Sequence, residues 1–528
     1  MIIIQHTYHR VVLVACCFFC SVWLSACKKK DAVAPEKNTA ALLADSIFLY
    51  AREVYLWNEQ LPGAGQFNTG KYVISNDVLD HKRELFDITR FAVNPITGKS
   101  YEDHPFQPSE PKYSVIIGTG EQTSVADDPI NTRLLSVSAR FGINLVVTDD
   151  HAIYIKYVIK GSEAAAAGLK RGMRIWHING KPVAANAAYY QYVQKVFSEA
   201  TQLVLDGETA GNHHTYHLTY RRNNYFEPIL KDTVLTQPSG RKVGYLAYLR
   251  FIDPNFGYKD LDLVMNDFTA NNVSDVIIDL RYNGGGNLAE LDRFANLLIP
   301  GSANGKIMRT ERYNNVMKTG NTPLLHLQPL LGNNGLPVYL DGKLITYGDI
   351  DYTEAGNTTY FQKINGPGSL KKIYFIVSEE TASAAELLIS CLQPYVQTVL
   401  IGVSHKGAPA VVSTYGKPVG FFPLRIGPLH IYYSMFNNIN ARGEGDYYDG
   451  MRAALSVYDD PRYDLAESKE PGLEAALRLI NGHARIAPRQ AADGELHPGS
   501  WRNLNTPVQE PGIMKSYLRL KNGTIIKR

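Results

Sequence analysis

Apolar residues recur at near-helical spacing over residues 41–59, where Leu42, Leu43, Ile47, Phe48, Val54, Tyr55 and Trp57 precede Pro62-Gly63, so the pattern predicts an amphipathic helix. A second helix is predicted over 77–91, and a stretch rich in Pro, Gly, Ser and Asp carries the chain to 129. From about residue 133 the period shortens. Apolar runs at 140–145 and 152–159 read as strands, an alanine-rich helix ends at Gly168, and a strand at 173–178 enters an Asn179-Gly180 turn suited to hairpins. Beyond Thr233, apolar runs at 243–249, 276–280, 373–377 and 399–401 alternate with helical patterns at 261–269, 288–298 and 384–392. That alternation predicts a mostly parallel sheet, with chemistry where the strands end and Gly-rich turns begin.

One more apolar run, residues 11–24, follows Arg10 and precedes Ser25-Ala26-Cys27 and three lysines. Its 14 residues fall short of the roughly 20 that span a bilayer, and the small residues after it suit signal-peptidase cleavage. Leu24-Ser25-Ala26-Cys27 resembles a bacterial lipoprotein lipobox, which implies acylation of Cys27 and a membrane anchor at the mature N-terminus. A plain secretory signal or short anchor is the alternative, and either exports the body of the chain. Lys28 after the cysteine leans toward the outer membrane, facing the periplasm or the cell surface, with the inner membrane still open.

The chain has 528 residues, 45% of them apolar and 20% charged, which excludes a disordered or collagenous protein and allows several cores. A net charge of +3, with no basic block beyond Lys28–Lys30, gives no electrostatic footprint for nucleic acid. Three of the five cysteines lie in the signal segment and Cys27 would carry lipid, leaving Cys391 without a disulfide partner. No zinc-ligand spacing remains, so no metal is expected.

Three motifs carry candidate chemistry. Asp279-Leu280-Arg281-Tyr282-Asn283-Gly284-Gly285-Gly286-Asn287 joins a strand to a helix, and its glycines let backbone N–H groups converge on an oxyanion or a phosphate. It also matches a dinucleotide pattern literally, but no acidic residue stands about 20 positions on, and an exported chain has little access to such cofactors; none is expected. Ser383 opens the 384–392 helix, and Ser383 to Glu386 fits a capping box. The same place suits a nucleophile, because free N–H groups and the helix dipole favour developing negative charge. Lys417, between Gly416 and Pro418, reads as a solvated turn residue; desolvated in a cleft, its amine could serve as general base.

Residues 161–183, GSEAAAAGLKRGMRIWHINGKPV, resemble a PDZ domain, with Glu163 where that family has proline. The resemblance implies capture of a peptide C-terminus by strand addition, its carboxylate held by N–H groups of the Phe141-Gly142-Ile143 loop. A β-domain that only packs on its neighbour is the alternative. Behind this module, Asp279 to Gly286, Thr381-Ala382-Ser383-Ala384-Ala385-Glu386 and Thr414-Tyr415-Gly416-Lys417 stand in the order of the tail-specific, or C-terminal processing, serine peptidases. The resemblance covers roughly residues 130–460, and residues 421–450 look like the lipoprotein members from Bacteroidetes-type bacteria. It implies Ser383 as nucleophile, Lys417 as general base, and an oxyanion hole from the N–H of Ala384 with Gly285 or Gly286.

Two departures bear on those roles. Ser383 and Lys417 stand 34 positions apart, longer than the family's usual spacing, so residues near 404–412 look inserted; they bring Lys406 and His405 as rival bases. The family's supporting glutamine is replaced by Phe421. The resulting fold expectation is an α/β catalytic domain, crotonase/ClpP-like by resemblance, with a PDZ-like β-rich module and a small helical N-terminal domain. Expected boundaries are a signal peptide at 1–26, a tether at 27–40, the helical domain at 41–129, the PDZ-like domain at 130–228, the catalytic domain at 229–480 and an extension at 481–528. Tyr432, Tyr433 and Phe436 read as core, and the extension has no functional reading. The function expected is an exported serine endopeptidase cutting protein or peptide substrates at exposed or unstructured C-terminal segments. A catalytically inactive peptide-binding scaffold lipoprotein is the alternative, and the oligomeric state is open.

Overall fold

The computed structural model describes residues 39–118, 140–482 and 502–527, apart from 76–77, 106, 149, 185, 210, 221–226, 253, 333–334, 369, 371, 406–410, 504–512 and 515–516. The 11–24 run and Cys27 lie outside the described residues.

Helices α1 (Thr39–Val54) and α2 (Val78–Arg90) open the chain, and β1 (Val115–Gly118) follows. Ile47, Phe48 and Val54 of α1 and Leu85 and Ile88 of α2 are buried against Tyr313, Tyr352, Phe421, Phe436, Leu518 and Leu520. The core around these helices is therefore completed by residues hundreds of positions away.

Next come β2 (Ile143–Val147), β3 (Ile153–Val158), β4 (Arg174–Ile178), α3 (Ala187–Glu199), β5 (Gln202–Thr209) and β6 (Asn212–Thr219). Their strands pair in sequence as β2-β3-β4-β5-β6 around a core that includes Phe141, Ile143, Ile155, Ile175, Val193 and Phe197. Asn179 and Gly180, with φ of 50° and 73°, make the hairpin turn that their sequence predicts.

The larger unit runs β7 (Ile229–Thr236), β8 (Lys242–Tyr248), α4 (Pro254–Ala270), β9 (Asp275–Asp279), α5 (Leu288–Leu298), β10 (Ile307–Tyr313), β11 (Lys372–Val377), α6 (Ala384–Leu392) and β12 (Gln397–Ser404). It continues through β13 (Val419–Phe421), β14 (Leu424–Ile426), β15 (Leu429–Tyr432), β16 (Phe436–Ile439), β17 (Leu455–Tyr458) and α7 (Pro471–Ile480). The principal sheet has the order β17-β12-β11-β9-β8-β7; all neighbours are parallel except β7, which is antiparallel to β8. Val276 and Ile278 of β9 face Phe268, Leu291 and Leu388 on the helical side. Ile277 faces Leu473 and Ala476 of α7 on the other. Burial on both faces explains the unbroken apolar runs in these strands.

Four short C-terminal strands, β18 (Arg502–Asn503), β19 (Ile513–Met514), β20 (Tyr517–Arg519) and β21 (Ile525–Lys527), complete the described chain. Tyr432, Tyr433 and Phe436 are buried, as core residues should be. Among the described residues no helix is long and apolar enough to cross a membrane.

Candidate active site

The parallel sheet brings the three motifs together at the ends of β9 and β11. Thr381 Oγ1 donates to the carbonyl of Leu280 (2.8 Å), the N–H of Ala382 donates to the carbonyl of Asn283 (3.1 Å), and Ser378 Oγ donates to the carbonyl of Arg281. From the other side, the N–H of Tyr415 reaches the carbonyl of Thr381 at 2.9 Å. The glycine loop and lysine loop are thus stitched to the segment that carries Ser383.

The glycine loop is itself fixed by Arg281, whose guanidinium is buried and donates to Asp279 (2.7 Å), Glu470 (2.6 Å) and Asp459 (3.1 Å). A Cβ on Gly285 would fall 2.7 Å from Ser383 Cβ and 3.0 Å from Ala384 N, so only glycine lets the loop lie this close to the serine. Its φ of 109° points the same way. The N–H of Gly285 is engaged, donating to Asn283 Oδ1 at 2.8 Å. Among the described residues the N–H groups of Gly286 and Ala384 have no acceptor.

Ser383 caps α6 with φ 58° and ψ −119°, a conformation sparsely populated by L-residues. It is buried, yet among the described residues its Oγ finds no hydrogen-bond partner of standard geometry. Its N–H donates to Glu386 Oε2 at 2.9 Å, as in the capping box. The carboxylate does much more than cap: Oε2 also accepts the N–H of Lys417 (2.8 Å), and Oε1 accepts the N–H of Gly416 (2.7 Å) and the Thr414 hydroxyl. Candidate nucleophile and candidate base therefore have their N–H groups held on one oxygen of one buried side chain. Burial raises the Glu386 carboxyl from its ordinary value, opposed by these four donors. All four donors favour the ionised form of the group over the protonated one.

Lys417 is buried rather than solvated. Loss of water pushes its amine down to about 8, helped by the nearby Lys112 charge and opposed by Glu386 and Glu102. The ring of Phe421, standing where the family has its glutamine, lies 5.8 Å from Nζ and adds an apolar wall. Of the rival bases, His405 Nδ1 lies 3.5 Å from Glu379 Oε2, and Lys406 lies outside the described residues.

Sequence reasoning missed the contribution of residues 102–114. Lys112 Nζ donates to the carbonyl of Tyr448 at 2.6 Å and lies 4.9 Å from the Tyr415 ring centroid. Burial lowers its amine to about 8. The Tyr113 hydroxyl donates to the carbonyl of Gly416 at 2.6 Å, and Glu102 accepts from Ser114 and Ser434. This segment is a support beneath the lysine loop, and no local motif announces it.

In the Phe141-Gly142-Ile143 loop, Gly142 has φ 77°, and a Cβ there would overlap Ser162. Among the described residues the N–H groups of Phe141 and Gly142 have no acceptor. Behind them, Lys156 of β3 is buried and pairs with both oxygens of Glu380 at 2.9 and 2.7 Å, three residues before Ser383. Among the described residues there is no cluster of ligating side chains for a metal.

The chain is similar to known proteins in sequence and in fold. Residues 242–421 match the family model of peptidase family S41, and residues 134–195 match that of the PDZ domain. A crystal structure from Bacteroides fragilis NCTC 9343, assigned as an S41 protease, is similar at 20% identity and a TM-score of 0.55, covering 83% of this chain and 98% of its own. That likeness shows the fold. The photosystem II D1 C-terminal processing protease is similar at 13% identity and a TM-score of 0.43, covering 86% of this chain and 100% of its own. No curated protein matches the sequence.

Proposed function

We propose that this chain, a PDZ-containing member of the C-terminal processing peptidase family, is a serine endopeptidase that works through Ser383 and Lys417. The observation that carries the reading is Glu386, which holds the N–H groups of both residues on one oxygen while Lys417 is buried. A neutral Lys417 amine takes the Ser383 hydroxyl proton as Oγ attacks a peptide carbonyl. The oxyanion is received by the N–H groups of Ala384 and Gly286. The amine of the leaving peptide takes the proton from Lys417, and the acyl-enzyme is hydrolysed by water that Lys417 deprotonates in turn. Only extended backbone can add to the edge of β2 and enter the cleft, so the substrates are proteins with exposed or unstructured C-terminal segments.

Hydrolysis of an unfolded protein by the full chain tests this. Ser383→Ala and Lys417→Ala should each lower turnover by about 10³-fold or more at unchanged melting temperature. Full activity in either folded variant would refute the dyad. A catalytically silent peptide-binding scaffold is the second reading, favoured by Phe421 in place of the supporting amide; absence of turnover in the wild type at any pH would select it.

We place the enzyme in the cell envelope, anchored through acylated Cys27, on the strength of the 11–27 sequence pattern. Replacing Cys27 by Ser should release it from the membrane fraction, and continued membrane association would remove the lipid anchor from the account.

A further inference from the structure

The strand that leaves the Phe141-Gly142 turn is β2, and β3 occupies one of its two sides. The other is the side on which an added strand would lie, and it is covered. β18 lies antiparallel on it, with Asn503 opposite Val146 and Arg502 opposite Val147. Farther along the same extension, β19 adds in parallel to β13, with Ile513 opposite Gly420 and Met514 opposite Phe421. β13 begins two residues after Lys417. Beyond it the chain is fastened: Leu518 and Leu520 are buried in the core around α1 and α2, and the carbonyl of Arg519 accepts the N–H of Asp351 at 2.8 Å. The extension therefore touches both the edge of the PDZ domain and the strand behind the candidate base.

We propose that the C-terminal segment Arg502–Asn503 is a resident occupant of the peptide-accepting edge of the PDZ domain, and that an extended peptide ending in a free carboxylate displaces it. This deepens the function proposed above and rests on its reading of β2 as the substrate-recruiting edge. Antiparallel pairing sets the direction: from Arg502 opposite Val147 to Asn503 opposite Val146, β18 runs toward the Ile143 end of β2 that leaves the Phe141-Gly142 turn, as a captured C-terminus would. An internal segment can satisfy the backbone of β2, but it has no terminal carboxylate to offer the N–H groups of Phe141 and Gly142. The cis ligand gains from its high effective concentration, and a peptide with a free end gains charge-assisted hydrogen bonds that the cis ligand lacks. The consequence is discrimination: internal loops of folded proteins fail to displace the segment, and loose C-termini succeed.

The test uses the full chain carrying Ser383→Ala, so that binding is read without hydrolysis. The probe is a fluorescein-labelled ten-residue peptide of alternating Ser and Val, ending in Val with a free carboxylate, followed by fluorescence anisotropy. Arg502→Pro with Asn503→Pro removes the N–H donors of β18 and leaves the Leu518 and Leu520 anchor intact. Peptide affinity should rise by about five-fold or more as the competing cis state is lost, and the C-terminal amide of the same peptide should bind far more weakly to every form. In a second variant, Val146→Cys with Asn503→Cys, a disulfide mapped by mass spectrometry should suppress binding, and reductant should restore it. Equal peptide affinity in the proline variant and in the locked and reduced forms would overturn the proposal, as would absence of peptide binding in all of them. A chain that passes these binding tests yet never hydrolyses a substrate would instead refute the peptidase reading and leave this one standing.

Discussion

Glu386→Gln separates the two tasks assigned to the buried carboxylate. Each of its oxygens accepts two donors, Ser383 and Lys417 N–H on Oε2, Thr414 hydroxyl and Gly416 N–H on Oε1. An amide keeps one oxygen and turns the other into a donor. Its least costly orientation keeps the oxygen toward Ser383 and Lys417 and points the NH₂ at Thr414, whose hydroxyl can rotate. The N–H of Gly416 then faces another donor. Hydrogen bonds to a charged acceptor contribute about 1.5–3 kcal/mol each, so losing one and weakening the rest should cost about 2–4 kcal/mol of unfolding free energy. That is a large share of the roughly 5–15 kcal/mol that holds a domain together, and urea unfolding measures it. The electrostatic effect has a definite sign. Glu386 raises the Lys417 amine, so neutralising it moves the rise in kcat/KM on an unfolded substrate to below the wild-type position near pH 8. Thr414→Val is the control: it removes the hydroxyl's two hydrogen bonds, to Glu386 Oε1 and from the N–H of Met451, and no charge, so stability falls by about 1–3 kcal/mol and the rise stays in place. A rise that is unmoved or displaced upward in Glu386→Gln, with the stability loss present, would refute an ionised Glu386 beside Lys417.

Three further changes probe the surroundings. Lys112→Met removes a positive charge that lowers the Lys417 amine, so the alkaline rise in kcat/KM should move to higher pH, by about half a unit to one unit for a single partly screened charge; an unmoved profile in the folded variant would disconnect the two lysines. Gly285→Ala forces a Cβ to 2.7 Å from Ser383 Cβ at φ 109°, and kcat should fall by about 10²–10³-fold; near-normal turnover would show that the loop can retreat from the serine without consequence. Lys156→Met removes the ammonium that holds Glu380 on the segment leading to Ser383, so unfolding free energy should fall by about 1–3 kcal/mol, discounted because Glu380 is partly exposed; an unchanged urea midpoint would show that the pair does not hold the PDZ domain to the serine loop.

Much of this was legible in the sequence, because two signals are local. Strands β8, β9, β11 and β12 are written in unbroken apolar runs and the flanking helices in the 3.6-residue period, and their boundaries fall within a few residues of expectation, except that α4 begins at Pro254, seven residues before the expected 261. Glycine reports backbone conformation, and Gly285 and Gly286 stand where positive φ is needed. What stayed hidden depends on partners far apart in the chain. Glu386 reads as a capping box because its partner three residues back is visible and those at 414, 416 and 417 are not. Lys112 meets Tyr448 across 336 positions, and nothing near residue 112 predicts that contact. The strands of the C-terminal extension are two or three residues long, too short for any period, and only their tertiary partners define them.

The hidden contacts share a chemistry that the legible ones lack. Apolar cores specify which faces meet, but they tolerate sliding, since burial is non-directional. Holding Ser383 at a disfavoured φ against a glycine loop requires joints that lose energy when displaced by a fraction of an ångström. Those joints are buried charges: Arg281 ties the glycine loop to Asp279, Glu470 and Asp459; Arg171 ties the PDZ domain to the same Asp459; and Lys156 ties it to Glu380. Breaking one side of such a pair costs about 3–5 kcal/mol when both partners are buried, far more than the pair contributes when replaced whole by apolar groups. The asymmetry suits a structural hinge pin: the network penalises departure from one geometry. Because Asp459 is shared by Arg281 and Arg171, the glycine loop and the PDZ domain are indexed to one carboxylate, so a displacement of the domain as a body cannot leave the glycine loop behind without uncovering a buried charge.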